Sequence, residues 1–366
     1  MATSYGKNIN MTVFGGSHDP EIGVRVTGLP RSFAPNQEEL LAFMKRRAPG
    51  SSDLSTPRKE TDQPIFLRGI DSEGRLNGEE LEAVIRSNNQ RPSDYDRKDS
   101  FIPRPSHADF AARMKYGPSV DLRGGGHFSG RLTAPLCIVG GICLQYLKTR
   151  GIHIGAHLYS IGQVKDTPFD PVKVDEGVFS LLASRFPMTV LDEQAGAQMR
   201  TLIEEVRAEG DSVGGVIECA AIGLPIGLGE HMFDGVENRL SSLAFAIPGV
   251  KGIEFGDGFG ASMLRGSQNN DPFLTDGKKI TASSNHAGGI LGGMTSGMPL
   301  IFRIAMKPTP SIFLPQDSVD MVTMTPATLS IKGRHDPCIA VRAVPIAEAV
   351  CAIAIYDLLL DLETKN

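Results

Sequence analysis

Residues 132–147 read LTAPLCIVGGICLQYL. The run is apolar on almost every side, broken only by a threonine, two glycines and a glutamine. At 16 residues it is short for a membrane span, which needs about 20 predominantly apolar residues. It reads as a helix buried in a folded protein. Pro135 falls in the first turn, where the missing N–H costs nothing, and Gly151 stands just past the end.

The flanking sequence surrounds this helix with both kinds of element. Residues 36–47 predict a helix capped by Asn36, with acids in its first turn and bases in its last. Further helices are expected over 79–87, 108–116, 191–209, 235–246 and 345–362. Strands are expected over 152–161, where IHIGAHLYSI alternates, and over 213–222, 250–256, 299–306 and 327–331. Residues 48–64 and 88–106 read as polar loops. The elements interleave without a strict βαβ series, which argues for layered α+β packing over a doubly wound sheet. No shift in composition marks a boundary, so 1–366 reads as one domain.

Composition narrows the chemistry. Apolar residues make up 41% and charged residues 22%, an ordinary globular balance. A net charge of −5 argues against a general nucleic-acid binder, so an anion site must be a local cluster of cations. The five cysteines form no CxxC, and Cys137 and Cys143 lie in the apolar run as core residues, which suits a reducing compartment. No signal pattern opens the chain and no membrane span is expected.

Two distant clusters carry the same three residue types: RPSHAD at 104–109 and RHDPC at 334–338. Each combines a guanidinium, an imidazole and a carboxylate. Glycine-rich stretches at 15–23, 123–130 and 285–297 each contain a histidine, yet none is a P-loop or a clean GxGxxG. Lys307, Thr309 and Ser311 in KPTPSI suit a phosphate or a polar ring edge, or simply a proline turn leaving a sheet. No metal site is expected. HExxH is absent, and His153 and His157 read as ordinary polar residues on a strand. Arg47, Arg58, Arg104, Arg131, Arg334 and Arg342 stand in or beside these segments, suggesting a ligand with more than one anionic group.

Taken together, these segments resemble chorismate synthase. The resemblance rests on GGSHDPEIG (15–23), NNQRPSDY (88–95), RPSHADFAARMKYG (104–117), RGGGHFSGR (123–131) and VKGIEFGDGF (250–259). It continues through RGSQNNDPF (265–273), NHAGGILGGMTSG (285–297), KPTPSI (307–312) and GRHDPCIAVRAVPIAEA (333–349). It runs collinearly through nearly the whole chain. It implies a β-α-β sandwich with helices held between antiparallel sheets, and a cytoplasmic homotetramer. It further implies FMN-dependent 1,4-elimination of phosphate from 5-enolpyruvylshikimate 3-phosphate, with reduced FMN required but no net redox change. The two clusters would then be walls of one site.

Carried over residue by residue, the resemblance gives His18 the protonation of phosphate and places His107 near the flavin ring. Ser17, Ser129 and Asp336 match residues of a proton relay. Arg47, Arg104, Arg131 and Arg334 match anion-binding positions. His127, Phe128, Ser129, Gly292, Lys307, Pro308, Thr309, Pro310, Ser311 and Arg334 match flavin-binding positions. The chain departs from the family's pattern at Asp19, Asp53, Ser106, His127, Phe128 and Leu132, and reads LNGE at 76–79. A thinner cationic rim and weaker ligand affinity are expected from these changes. The rival reading is a non-catalytic or altered-substrate flavin-binding relative. Reduction of the flavin by NADPH on this chain is left open, since no nicotinamide domain is legible.

Overall fold

The computed structural model describes residues 2–55, 60–87, 100–331 and 335–365. Its first sheet is formed by β1 (Ala2–Tyr5), β2 (Asn10–Phe14), β3 (Glu21–Thr27), β4 (Ile65–Arg68) and β5 (Leu81–Arg86), ordered β1-β2-β3-β5-β4 and antiparallel throughout. Helix α1 (Gln37–Arg47) lies between β3 and β4 in sequence. Ile22, Val24 and Val26 alternate along β3 and are fully buried, the period-2 face a sheet turns to its core.

Helices α2 (Asp109–Tyr116) and α3 (Thr133–Thr149) follow, then β6 (His153–Ile161), β7 (Val164–Lys165), α4 (Glu176–Ser184) and α5 (Glu193–Ala208). Next come β8 (Gly215–Ile222), α6 (Val236–Phe245), β9 (Val250–Phe255) and the short α7 (Gly266–Asn269). Two small hairpins pair β10 (Phe273–Thr275) with β11 (Ile280–Ala282) and β12 (Ile290–Leu291) with β13 (Met294–Thr295). Strand β14 (Leu300–Met306), the ribbon β15 (Gln316–Asp320) with β16 (Thr325–Leu329), and α8 (Ala340–Lys365) end the chain. The second sheet is also antiparallel, ordered β7-β6-β8-β14-β9.

Helices fill the space between the two sheets. Helix α3 packs against β3 and β5 of the first sheet, α8 against β6 and β8 of the second, and the two helices pack on each other. This is the expected α+β sandwich, and each exception in the opening run now has a reason. A Cβ on Gly140 would lie 2.3 Å from the Cβ of Ala349, so this glycine lets α3 and α8 touch. One on Gly141 would lie 2.6 Å from Leu40 of α1. The amide of Gln145 accepts from Asn36 N at 2.7 Å and donates to Asn36 O at 3.1 Å, tying α3 to the start of α1. Asn36 caps that helix, accepting from Glu39 N at 3.0 Å. The segment ending in α3, and α8, are apolar and long enough to cross a membrane, but both are mostly buried inside the fold. All five cysteines are buried and reduced. Burial pushes the Cys137 thiol up to about 12.

Three expectations need correction. Residues 79–87 are not a helix. LEAVIR forms β5, which pairs on both sides with β3 and β4, and that pairing outweighs the helical look of the preceding acids. The last helix begins at Ala340, five residues before Pro345, rather than at 345. His157 is not an ordinary polar residue. Its side chain is fully buried, with Nδ1 2.8 Å from Asp166 Oδ2 and Nε2 3.0 Å from Glu218 Oε2. The strands of the first sheet escaped the sequence reading.

Candidate active site

One end of the helical layer opens into a cavity of about 670 Å³. Arg47, the last residue of α1, reaches it, as do Thr133 at the start of α3 and Arg342 in the first turn of α8. Two helix N-termini therefore border the cavity and favour anions there. The two clusters with which the chemistry began do meet. His107 and Arg104 line one wall, and His335 and Asp336 line another. Arg334 lies outside the described residues, as do Arg58 and the NNQRPSDY stretch.

The RGGGH stretch explains how the histidines are held. Gly124, Gly125 and Gly126 have φ of 56°, 95° and 52°, a left-handed path that side chains resist. A Cβ on Gly124 would fall 2.6 Å from His18 Nε2 and 2.7 Å from Ser17 Oγ. One on Gly125 would fall 3.6 Å from His107 Nε2 and 3.5 Å from Ser129 Cβ. Ser17 N donates to Gly126 O at 3.0 Å, locking the 15–20 turn onto this run. Gly124 and Gly125 thus let Ser17, His18, His107 and Ser129 crowd around one bare backbone. His127 donates from Nδ1 to Gly15 O at 2.7 Å, and Phe128 also lines the cavity.

The arginines are not bare charges. Arg47 donates to Asp62 at 2.5 Å, to Thr133 Oγ1 at 3.1 Å and to Gly130 O at 2.7 Å. Arg131 sits 3.4 Å from Glu60 and donates to Ser17 O at 3.0 Å. Arg104 is held by Asp109 through Nε and Nη2, at 2.6 and 2.8 Å. Arg342 holds Asp336 at 2.7 Å and donates to Arg47 O at 3.0 Å. Glu60, Asp62 and Asp109 are thus part of the site although the sequence assigned none of them a role, while Arg342 counts there only among the arginines pointing to an anionic ligand. Of the three carboxylates only Asp109 carried a signal, as the last letter of RPSHAD.

Lys307, Thr309, Pro310 and Ser311 line the cavity as expected. The ammonium of Lys307 donates to Ser106 O, and burial, with Lys251 nearby, holds its pKa below the ordinary lysine value. His335 is likewise pushed down, by burial and then by the Arg104 cation. Thr309 Oγ1 and His335 Nε2 are buried, and among the described residues neither has a hydrogen-bond partner. Such atoms suit a polar ligand.

Two expected flavin contacts are not brought to the cavity. Pro308 faces Gly214, and Gly292 occupies the β12–β13 turn, where its φ of 60° serves the hairpin. Asp53 also lies elsewhere, bound to Arg200 of α5 at 2.7 Å.

Comparison with known proteins agrees with this geometry. A family profile described as chorismate synthase matches residues 9–360. Chorismate synthase of Lancefieldella parvula is 44% identical over 368 residues, covering 98% of this chain and 96% of that protein. The one from Thermococcus kodakarensis is 45% identical over 356 residues, covering 97% of each. A crystal structure of chorismate synthase superposes with a TM-score of 0.76 at 26% identity, covering 98% of this chain and 93% of the other.

Proposed function

The chain belongs to the chorismate synthase family, and from that premise we propose that its cavity binds 5-enolpyruvylshikimate 3-phosphate beside reduced FMN. The chain is a carbon–oxygen lyase forming chorismate and phosphate. The observation that carries the site assignment is the packing of Ser17, His18 and His107 against Gly124 and Gly125 beneath Arg47, Arg104 and Arg131.

In the overall reaction the C3–O bond to phosphate and the C6–H bond break. The C6–H electron pair forms a new ring double bond, the existing one shifts, the C3–O pair leaves with phosphate, and in net terms the C6 proton is carried off by the relay groups to solvent. Arg47, Arg104, Arg131 and Arg334 hold the phosphate and the two carboxylates of the substrate. His18 gives a proton to the departing phosphate, and His107 controls protonation at the flavin edge. Ser17, Ser129 and Asp336 relay protons between these groups and solvent. Orientation and fixed charge are the protein's main contribution.

Reduced FMN, when bound, supplies electron density to the substrate ring as phosphate departs. The residues present fit that group. Thr309 Oγ1 and His335 Nε2 are buried donors or acceptors awaiting a partner, and Lys307 offers a cation beside them. His127, Phe128, Ser129, Pro310 and Ser311 complete the flavin side.

We further read 1–366 as one domain in a cytoplasmic homotetramer. Exposed Met232, Phe233, Phe259 and Met263, each at least 70% accessible, support self-association.

The test is anaerobic mixing of the protein with 5-enolpyruvylshikimate 3-phosphate and chemically reduced FMN. Equal release of chorismate and phosphate is expected, and none with oxidised FMN. Binding of both ligands without product would establish the non-catalytic relative instead.

A further inference from the structure

We propose that Asp109 is a positioning residue that fixes the hydrogen of His107 on Nδ1, so that Nε2 faces the cavity as the proton-exchanging atom. This rests on the proposed function, because it deepens the role given there to His107.

The argument begins with the donors around one carboxylate. Asp109 Oδ2 accepts from Arg104 N at 3.1 Å and Arg104 Nε at 2.6 Å. Oδ1 accepts from Arg104 Nη2 at 2.8 Å and lies 2.7 Å from His107 Nδ1. Three of the four contacts are obligate donors, since neither a guanidinium nor a backbone N–H can accept. Burial alone would favour the protonated acid, but the bonds from Arg104 and His107 outweigh it and hold Asp109 well below the usual carboxylate range. An ionised carboxylate only accepts, so Nδ1 of His107 must carry the hydrogen. The other nitrogen, Nε2, is left pointing past Gly125 into the cavity.

The placement is not a by-product of helix capping. Asp109 is the first residue of α2, yet its carboxylate turns back to residues 104 and 107 and makes no bond to its own helix. Both partners are largely enclosed, at 15% and 7% side-chain exposure, so water does not compete for the imidazole hydrogen. The same carboxylate holds Arg104 so that its Nη1 donates to Ser311 Oγ at 3.3 Å in the cavity lining. One buried charge therefore orients a proton-transfer group and an anion-binding group together.

Asp109→Asn acts mainly on the histidine, although Arg104 loses one of its bonds as well. The amide oxygen belongs at the Oδ2 position, where it keeps two Arg104 donors. The amide nitrogen then meets His107 Nδ1 and donates to it, which forces the ring hydrogen onto Nε2. The side chain keeps its size, the Arg104 Nη2 bond to Oδ1 is lost because two donors now face each other, and the tautomer is inverted, an arrangement that costs hydrolytic triads several orders of magnitude.

The experiment is nitrogen-15 NMR of imidazole-labelled protein, with the His107 signals assigned by their loss in His107→Gln. Neutral wild-type His107 is expected as the Nδ1–H tautomer and Asp109→Asn as the Nε2–H tautomer. Turnover in the variant is expected to fall by about 10²–10⁴, with the thermal unfolding midpoint recorded as a folding control. A wild-type ring found as Nε2–H overturns the proposal without any variant. So does a variant that keeps both the Nδ1–H tautomer and wild-type turnover. If the wild-type tautomer is Nδ1–H but no chorismate forms, the functional reading fails while the positioning role of Asp109 stands.

Discussion

Arg47 Nη1 meets Asp62 Oδ2 at 2.5 Å, with the two side chains only 3% and 0% exposed. A pair this deep is stabilising mainly in the sense that neither partner can be removed alone. Asp62→Ala leaves a guanidinium buried without its counter-charge and is expected to cost about 3–5 kcal/mol. Urea unfolding of the two proteins measures this. A loss under about 1 kcal/mol, the value of an exposed pair, would show that water reaches Arg47.

The buried His157 predicts a pH dependence on both sides of neutrality. Cross-strand register sets His157 opposite Glu218, Glu218 opposite Arg303 and Arg303 opposite Glu254, a row of alternating charge across four strands. Asp166 closes the row at His157. Burial opposes the imidazolium, but Asp166 and Glu218 outweigh it and raise its pKa. Burial likewise opposes both carboxylates, yet His157 draws each below its ordinary value. The histidine's contribution is complete below about pH 6.5 and is lost as pH rises through the raised value. The carboxylates' contribution is complete above about pH 4–4.5 and is lost as pH falls through the lowered values. Denaturant titrations across pH should show both limbs in the wild type. His157→Gln should be less stable and lack the histidine's share of the alkaline limb, and an unchanged alkaline slope would remove His157 as its source.

Gly124 is the glycine that lies hardest against His18 and Ser17. A methyl there falls 2.6 Å from His18 Nε2, on backbone with φ of 56°. Gly124→Ala must displace His18 or Ser17. A displacement near 1 Å costs on the order of 10²-fold in rate, so chorismate formation should drop by that order. Wild-type rates in steady-state assays would mean that neither Ser17 nor His18 needs its present position.

Ser106 occupies φ of 57°, a left-handed conformation unusual outside glycine. Ser106→Gly relieves a cost of about 1 kcal/mol, partly offset by the greater freedom of glycine in the unfolded chain. Thermal unfolding should show a small stabilisation with the Lys307 contact to the residue 106 carbonyl retained. A clear loss of stability would mean that the serine hydroxyl contributes more than the strain.

Much of this was readable from local pattern, because local forces set it. The apolar run at 132–147 had to be buried, Asn36 had to cap, and Gly151 had to end a helix, since each follows from hydropathy or backbone freedom within a few residues. The same holds for the chemistry-bearing motifs, whose residue types pointed to an anionic ligand before any contact was known.

Long-range pairing decided the rest. LEAVIR became a strand because β3 and β4 offered ladder partners on both sides. His157 became a buried ion because register set Glu218 opposite it and a turn returned Asp166 to its other nitrogen. The arginines of the cavity read as free cations along the chain, whereas the fold gives Arg47 a carboxylate 15 residues away and Arg342 one 6 residues away. Residue types and turn chemistry are fixed by neighbours in sequence. Which charges cancel, and which histidine nitrogen is left to react, depends on side chains that only the packed layers bring within hydrogen-bond distance.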